Sequence, residues 1–273
     1  MSRKKVTVLL LVFLVFLSGN SLINAFGHSD KASPGHQDQQ LADAAQRCAV
    51  ADVKALLAKG VDANSRGLLR RTPLMLAAGA VCTEVLQLLL EKGVDVNAKD
   101  SDGRTALIHL IHFGLKTGRE TVIAKAQDVA RVLVNKGADI NAKDNEGITV
   151  LMYAVSSLDT TIIRMLLEKG VEVNAGNYAG NTALIEAARS PRSDIVELLL
   201  EKGANINDSN KKGETALILA SENPWGELVV PGLLAKGADV NAKDKAGNTA
   251  LKIATKNGHS KIVAMLKKAG AKG

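Results

Sequence analysis

The stretch Leu88-Leu89-Leu90-Glu91-Lys92-Gly93-Val94-Asp95-Val96-Asn97-Ala98-Lys99-Asp100 sets the architecture, because it recurs with small changes from Leu56 almost to the C-terminus. Its glycine returns at Gly60, Gly93, Gly137, Gly170, Gly203, Gly237 and Gly270, in steps of 33, 44, 33, 33, 34 and 33 residues. Four residues after the glycine comes an asparagine in six copies: Asn64, Asn97, Asn141, Asn174, Asn207 and Asn241. A fixed period of this size marks an array of like units, each able to bury its apolar face only against a neighbour.

The other half of the unit is equally regular. Eight residues after each asparagine stands a threonine, then a small residue and a leucine, as in Thr72-Pro73-Leu74, Thr105-Ala106-Leu107 and Thr182-Ala183-Leu184. Threonine caps a helix, and a proline just inside the start loses nothing by lacking an N–H. A short apolar helix follows, then a turn, then a second helix such as Val85 to Leu90, ended by a glycine that accepts a left-handed backbone. The link to the next threonine, for example Asp100-Ser101-Asp102-Gly103, carries turn chemistry and reads as a hairpin. This unit of hairpin, helix, turn and helix, with Thr-Pro-Leu and Gly-Val-Asp-Val-Asn-Ala, resembles the ankyrin repeat. The resemblance covers residues 41–273 and implies an all-α solenoid of about seven units with short β-hairpin connections. The histidine usual after Thr-Pro-Leu is replaced by Met75, Ile108, Met152, Ile185, Ile218 and Lys252. Apolar packing is expected where that histidine's hydrogen bonds would be.

The units fall at about 41–66, 67–99, 100–143, 144–176, 177–209, 210–243 and 244–273. The first lacks the hairpin and reads as a polar cap, and the last ends in lysines that suit a face open to water. The array is therefore expected to be complete. The third unit holds eleven extra residues between His112 and Asp128, read as a glycine-bounded loop from Phe113 and a lengthened second helix over 120–135. In the sixth, Pro231 is expected to shorten the second helix and loosen its packing. The hairpin Gly67-Leu68-Leu69-Arg70-Arg71 carries two leucines at its tip that local structure does not explain.

With 273 residues, 46% hydrophobic but only 3% aromatic, the chain can bury a large core of aliphatic side chains. The net charge of +7 includes Arg3, Lys4 and Lys5, with no acid before Asp30; removing those three leaves +4. Lysines and acids alternate along the repeats, which makes a solvated surface rather than a nucleic-acid stripe. The basic N-terminus precedes an apolar run from Val6 to Leu17, followed by Ser18-Gly19-Asn20-Ser21. Twelve residues are too few to span a bilayer and suit a secretory segment ending near Ala25. An uncleaved anchor is the alternative, and a flexible leader is expected over 26–40. The chain is read as exported, with a bacterial periplasm as the place expected and secretion as an alternative.

No phosphate loop, zinc helix, nucleophile elbow or Cys-x-x-Cys is present, so neither an enzyme nor a cofactor or metal protein is expected. His109 and His112 lie three apart and could offer two metal ligands; the simpler reading is two surface histidines on a groove helix. Cys48 and Cys82, 34 apart, fall in neighbouring inter-helix turns, one residue off register. A disulfide there requires the turns to lean together.

The resemblance implies a groove, lined by hairpins and first helices, that grips a partner protein. Register assigns Leu68, Leu69, Arg71, Leu76, Arg104, His109, His112, Tyr153, Tyr178, Glu186, Arg189 and Leu219 to it. Exposed apolar clusters mark such surfaces, which favours Leu76 with Leu68 and Leu69, and Tyr153 with Tyr178. For Leu219 the alternative is packing against its own hairpin. The expected function is a monomeric, non-enzymatic scaffold acting outside the cytoplasm on a protein partner. A secreted effector or toxin-neutralising protein is the second reading, and a metal-dependent protein using His109 and His112 the third.

Overall fold

A computed structural model describes residues 34–117 and 120–272. The expected secretory segment, and the leader up to residue 33, lie outside the described residues. Among the described residues fourteen α-helices follow one another in pairs: α1 (Pro34–Gln46), α2 (Val50–Ala58), α3 (Pro73–Gly79), α4 (Thr83–Glu91), α5 (Ala106–Phe113), α6 (Glu120–Asn135) and α7 (Val150–Ser157) come first. Then come α8 (Thr160–Glu168), α9 (Ala183–Ala187), α10 (Ser193–Glu201), α11 (Ala216–Ala220), α12 (Gly226–Ala235), α13 (Ala250–Lys256) and α14 (Ser260–Lys268). The first helix enters at Pro34, inside the segment read as a flexible leader. The i,i+4 pairs Gln39 with Asp43 and Gln40 with His36, at 2.8 and 3.1 Å, support that extra length.

The repeated threonines cap α3, α5, α7, α9, α11 and α13, each hydroxyl accepting the backbone N–H three residues on. Behind the cap, Met75, Ile108, Met152, Ile185 and Ile218 are buried, so apolar packing does replace the expected histidine. Lys252, the last of the series, is exposed. Apart from the sixteen-residue α6 these helices are short for independent stability, and mutual packing of the pairs holds them in place.

No strand forms among the described residues. Each supposed hairpin is a tight finger closed at its base by a backbone bond, as from Asp100 N–H to Arg104 C=O at 3.0 Å, and isolated antiparallel bridges at Lys143–Thr149 and Ser209–Thr215 extend two of them. The opening side chain fills the turn instead: Asp100 Oδ1 accepts the N–H groups of Asp102 and Arg104, and Asp144, Asn177, Asn210 and Asp244 repeat this.

Two ladders join unit to unit. At the finger tips, Ser101, Asn145, Tyr178, Lys211 and Lys245 donate their backbone N–H to Leu69, Asp102, Glu146, Ala179 and Lys212 of the preceding finger, at 2.8–3.1 Å. At the far end of the unit the six asparagines do the same with side chains. Asn64, Asn97, Asn141, Asn174, Asn207 and Asn241 accept the N–H groups of Asp95, Asp139, Glu172, Asn205, Asp239 and Lys272 at 2.7–2.9 Å. Asn97 and Asn174 also donate across the interface, to the carbonyls of Gly137 and Gly203 at 2.9 and 3.0 Å. These glycines end α6 and α10 with φ of +89°, so their carbonyls are free of the helix.

The enlarged third unit places its insertion as expected: a 3₁₀ turn over Gly114–Thr117 and then sixteen residues of α6. The sixth unit does not. Pro231 lies inside the ten-residue α12, which is no shorter than the nine-residue α10. Val229, Val230 and Leu233 around it are fully buried, so its packing is not loosened. Burial on both sides of the proline outweighs the lost hydrogen bond. Cys48 and Cys82 are disulfide-paired with Cα atoms 5.2 Å apart, joining the first two units. Cys48 occupies the left-handed position of its turn, at φ 57°, whereas Val81 holds that place in the next turn and Cys82 follows it. That offset lets the side chains meet.

Candidate functional site

The residues assigned to the groove fall into two groups. His109, Tyr153 and Leu219 are 2%, 7% and 1% exposed, so they line no open surface. Their place, nine residues after the opening residue of a finger, turns the side chain back under that finger. The ring N–H of His109 donates to Asp100 Oδ2 at 2.8 Å, and the Tyr153 hydroxyl donates to Asp144 Oδ2 at 2.7 Å. Leu219 holds the same place after Asn210, whose amide bonds instead to Asn181 and Glu214 at 2.8 and 2.7 Å. Leu219 is thus buried and not open to a partner, and the surface placement of His109 is corrected in the same way.

These anchored acids shape the electrostatics. Burial would raise the Asp100 carboxyl, but the bonds from His109 and from the Arg104 and Asp102 backbone prevail and hold it below the usual carboxylate range. Burial and the bond to Asp144 push the Tyr153 hydroxyl up to about 12, against the pull of Arg104. The Arg104 Nε donates to that hydroxyl at 3.2 Å, and its Nη1 lies 3.2 Å from Asp102. Arg104 is thereby fixed at the finger base with its guanidinium partly open to solvent.

Beside it lies a ring cluster. His112 meets Phe113 and Tyr153 edge-on, at centroid distances of 4.5 and 5.1 Å, and Phe113 lies 5.3 Å from His109. Arg71 reaches over the Phe113 ring at 6.0 Å, 3.8 Å from Asp100, with its buried Nε lacking a hydrogen-bond partner among the described residues. Sequence reasoning took Phe113 only as the edge of a loop; its place one residue after His112 was the available signal.

The second group is open. Leu68 and Tyr178 are 76% and 66% exposed, and Leu69 is 49%. The first finger begins with Gly67, which has no side chain to fill the turn, and Leu69 and Arg70 both adopt left-handed backbone at φ 58° and 57°. Such a conformation costs a leucine about 1–2 kcal/mol and is found where function or packing demands it. Leu76 is half-buried behind this tip. Tyr178 lies against Gly147, where a β-carbon would come within 2.9 Å of it. Further along, Glu186 accepts from Asn181 at 2.7 Å and faces Arg189 at 3.8 Å, with Arg189 exposed.

The structure therefore brings Arg71, Arg104 and His112 together and places Leu68, Leu69 and Tyr178 on finger tips. Among the described residues no group of three His, Cys, Asp or Glu side chains is gathered for a metal, and His109 is occupied by Asp100. Among them, too, no helix is long and apolar enough to cross a membrane.

No curated protein is significantly similar in sequence. By structure the chain is similar to the human ASB11 ankyrin repeat domain, with 24% identity, a TM-score of 0.71, and 85% of this chain and 98% of that one covered. It is likewise similar to the ankyrin repeat domain of Bcl-3, described as a unique member of the IkappaB protein family, with 26% identity, a TM-score of 0.68 and coverage of 84% and 98%. The family profile described as "Ankyrin repeats (3 copies)" matches residues 41–144, 121–210 and 205–273. The chain belongs to the ankyrin-repeat family.

Proposed function

We propose that this chain is a non-enzymatic scaffold that holds a partner protein against its fingers and first helices, and that it works outside the cytoplasm. Ankyrin-repeat domains generally mediate protein–protein interaction. The observation that carries the choice of surface is the first finger, where Leu68 and Leu69 are held out to solvent while Leu69 and Arg70 take a left-handed backbone. Apolar side chains kept exposed at conformational cost mark a contact surface. Arg71, Leu76, Arg104, His112 and Tyr178 extend it along the second to fifth units, with Glu186 and Arg189 at its far edge. The apolar run after Arg3-Lys4-Lys5 and the Cys48–Cys82 pair both support export, since disulfides persist in oxidising spaces.

The test is affinity capture from periplasmic and culture extracts. One bait is the native chain and the other carries Leu68→Ser, Leu69→Ser and Tyr178→Ser, with matched circular-dichroism melts as the control for folding. The native bait is expected to retain a protein that the variant loses; equal retention overturns the surface. Cell fractionation checks the location, and a chain found in the cytosol with Met1 still present would refute export.

A further inference from the structure

The second helices carry a pattern that the groove does not use. Each turns three positions outward to solvent, and in register these are Glu84, Gln87 and Glu91 in the second unit and Asp128, Arg131 and Asn135 in the third. The fourth unit has Thr161, Arg164 and Glu168, and the fifth has Asp194, Glu197 and Glu201. All are polar. In the sixth the same positions are Leu228, Pro231 and Ala235, all exposed, with Trp225 one turn earlier. Trp225 and Leu228 are 59% and 56% exposed, an apolar strip along the outer face of α12. A proline in the middle of a helix costs stability, so its presence on the open side serves nothing within the unit.

The flanks of the strip say what covers it. Both α10 and α14 pack against α12, one on each side. The outer face of α10 carries Asp194, Glu197 and Glu201, and that of α14 carries Lys261 and Lys268; Arg192 already holds Asp194 at 2.6 Å and Glu227 of α12 holds Lys261 at 2.8 Å, which leaves Glu197, Glu201 and Lys268 to face a second copy. The surface therefore reads acidic, apolar, basic across three helices. A two-fold axis running along α12 and lying in the contact plane carries the α10 side of one copy onto the α14 side of the other. Acid then meets base on both flanks while the apolar strips meet in the middle. An axis across the helices would set acid against acid. Register keeps the levels matched: Glu201 and Lys268 both stand two residues before the glycine that ends their helix, at Gly203 and Gly270. A symmetric contact must be self-complementary, and this face is.

We propose that two copies of this chain pair through α12, with the α12 helices side by side and parallel, and with Glu201 of each copy facing Lys268 of the other. The sequence reading expected a single copy; this contact lies on the second helices and is independent of the groove. A face of three short helices is small beside the roughly 1,200–2,000 Å² of stable interfaces, so association is weak and concentration-dependent.

Sedimentation velocity of the full chain, over a concentration range of roughly three decades, tests it. A reversible monomer–dimer equilibrium is expected, weakening as salt is raised. Leu228→Glu is expected to weaken it at least about tenfold. Glu201→Lys and Lys268→Glu, each alone, are expected to weaken it several-fold, and the two together to restore it. Thermal melts of each variant confirm that the fold is kept; the substituted side chains are exposed, so native melting is expected. A monomer at every concentration overturns the proposal. So does association that survives Leu228→Glu, or a charge swap that restores nothing.

Discussion

The asparagine ladder makes a quantitative prediction, because its rungs are unequal. Asn97 and Asn174 each make two bonds across an interface, whereas Asn64, Asn141, Asn207 and Asn241 each make one such bond. A hydrogen bond of this type contributes about 1 kcal/mol net, give or take half. Truncation to alanine removes the side chain without touching the buried core, since these residues lie at the surface. Asn141→Ala and Asn207→Ala should therefore each cost about 1 kcal/mol, and Asn97→Ala and Asn174→Ala about 2 kcal/mol. Equilibrium urea unfolding followed by circular dichroism reads this as a shift in midpoint. In an array that unfolds through neighbour contacts, the larger losses should also broaden the transition as the two halves uncouple. If all four variants cost the same, or if the two-bond positions cost less than about 0.5 kcal/mol, the ladder is not a source of cohesion and the reasoning fails.

Three further outcomes are expected. Pro231→Ala should raise stability by about 2–3 kcal/mol, because the residue is exposed in a helix and alanine restores the N–H without losing a buried contact; a lower melting temperature would count against it. Cys48→Ser with Cys82→Ser should lower stability by about 3–4 kcal/mol, from the entropy released to a loop of 34 residues, as read by thermal melting without reductant. Tyr153 has a folded pKa raised from 10.0 to about 12, so its contribution is complete below pH 10 and is lost as pH climbs from 10 towards 12. The stability advantage of the native chain over Tyr153→Phe should shrink by about 2–3 kcal/mol across that window, and a constant difference would refute the assignment.

The array could be read from sequence because its period is carried by residues with strong local duties. The terminal glycines, the capping threonines and the Asp or Asn that opens every finger but the one at Gly67 each do the same thing from copy to copy. Exposure was harder to read. His109 and Tyr153 occupy positions that register places near the groove, and only the three-dimensional path shows Asp100 and Asp144 claiming them. The asparagines were visible as a recurrence, yet their partners lie 29–42 residues away and no local rule reaches so far. Pro231 was misjudged because helix propensity was weighed without the burial of Val229, Val230 and Leu233, which decides that case. The finger at Gly67 differs from the others by one missing side chain. That absence was legible, but the left-handed backbone that it leaves at Leu69 and Arg70 was not.

The bond between Cys48 and Cys82 gives the stack a direction. Its first two units are tied covalently, while every later junction is held by contacts that heat or pulling can undo one at a time. Unravelling should accordingly begin from the lysine-rich end and run backwards. A protease acting at the edge of melting would then shave off the final units first and leave a shortened stub that still contains the crosslink.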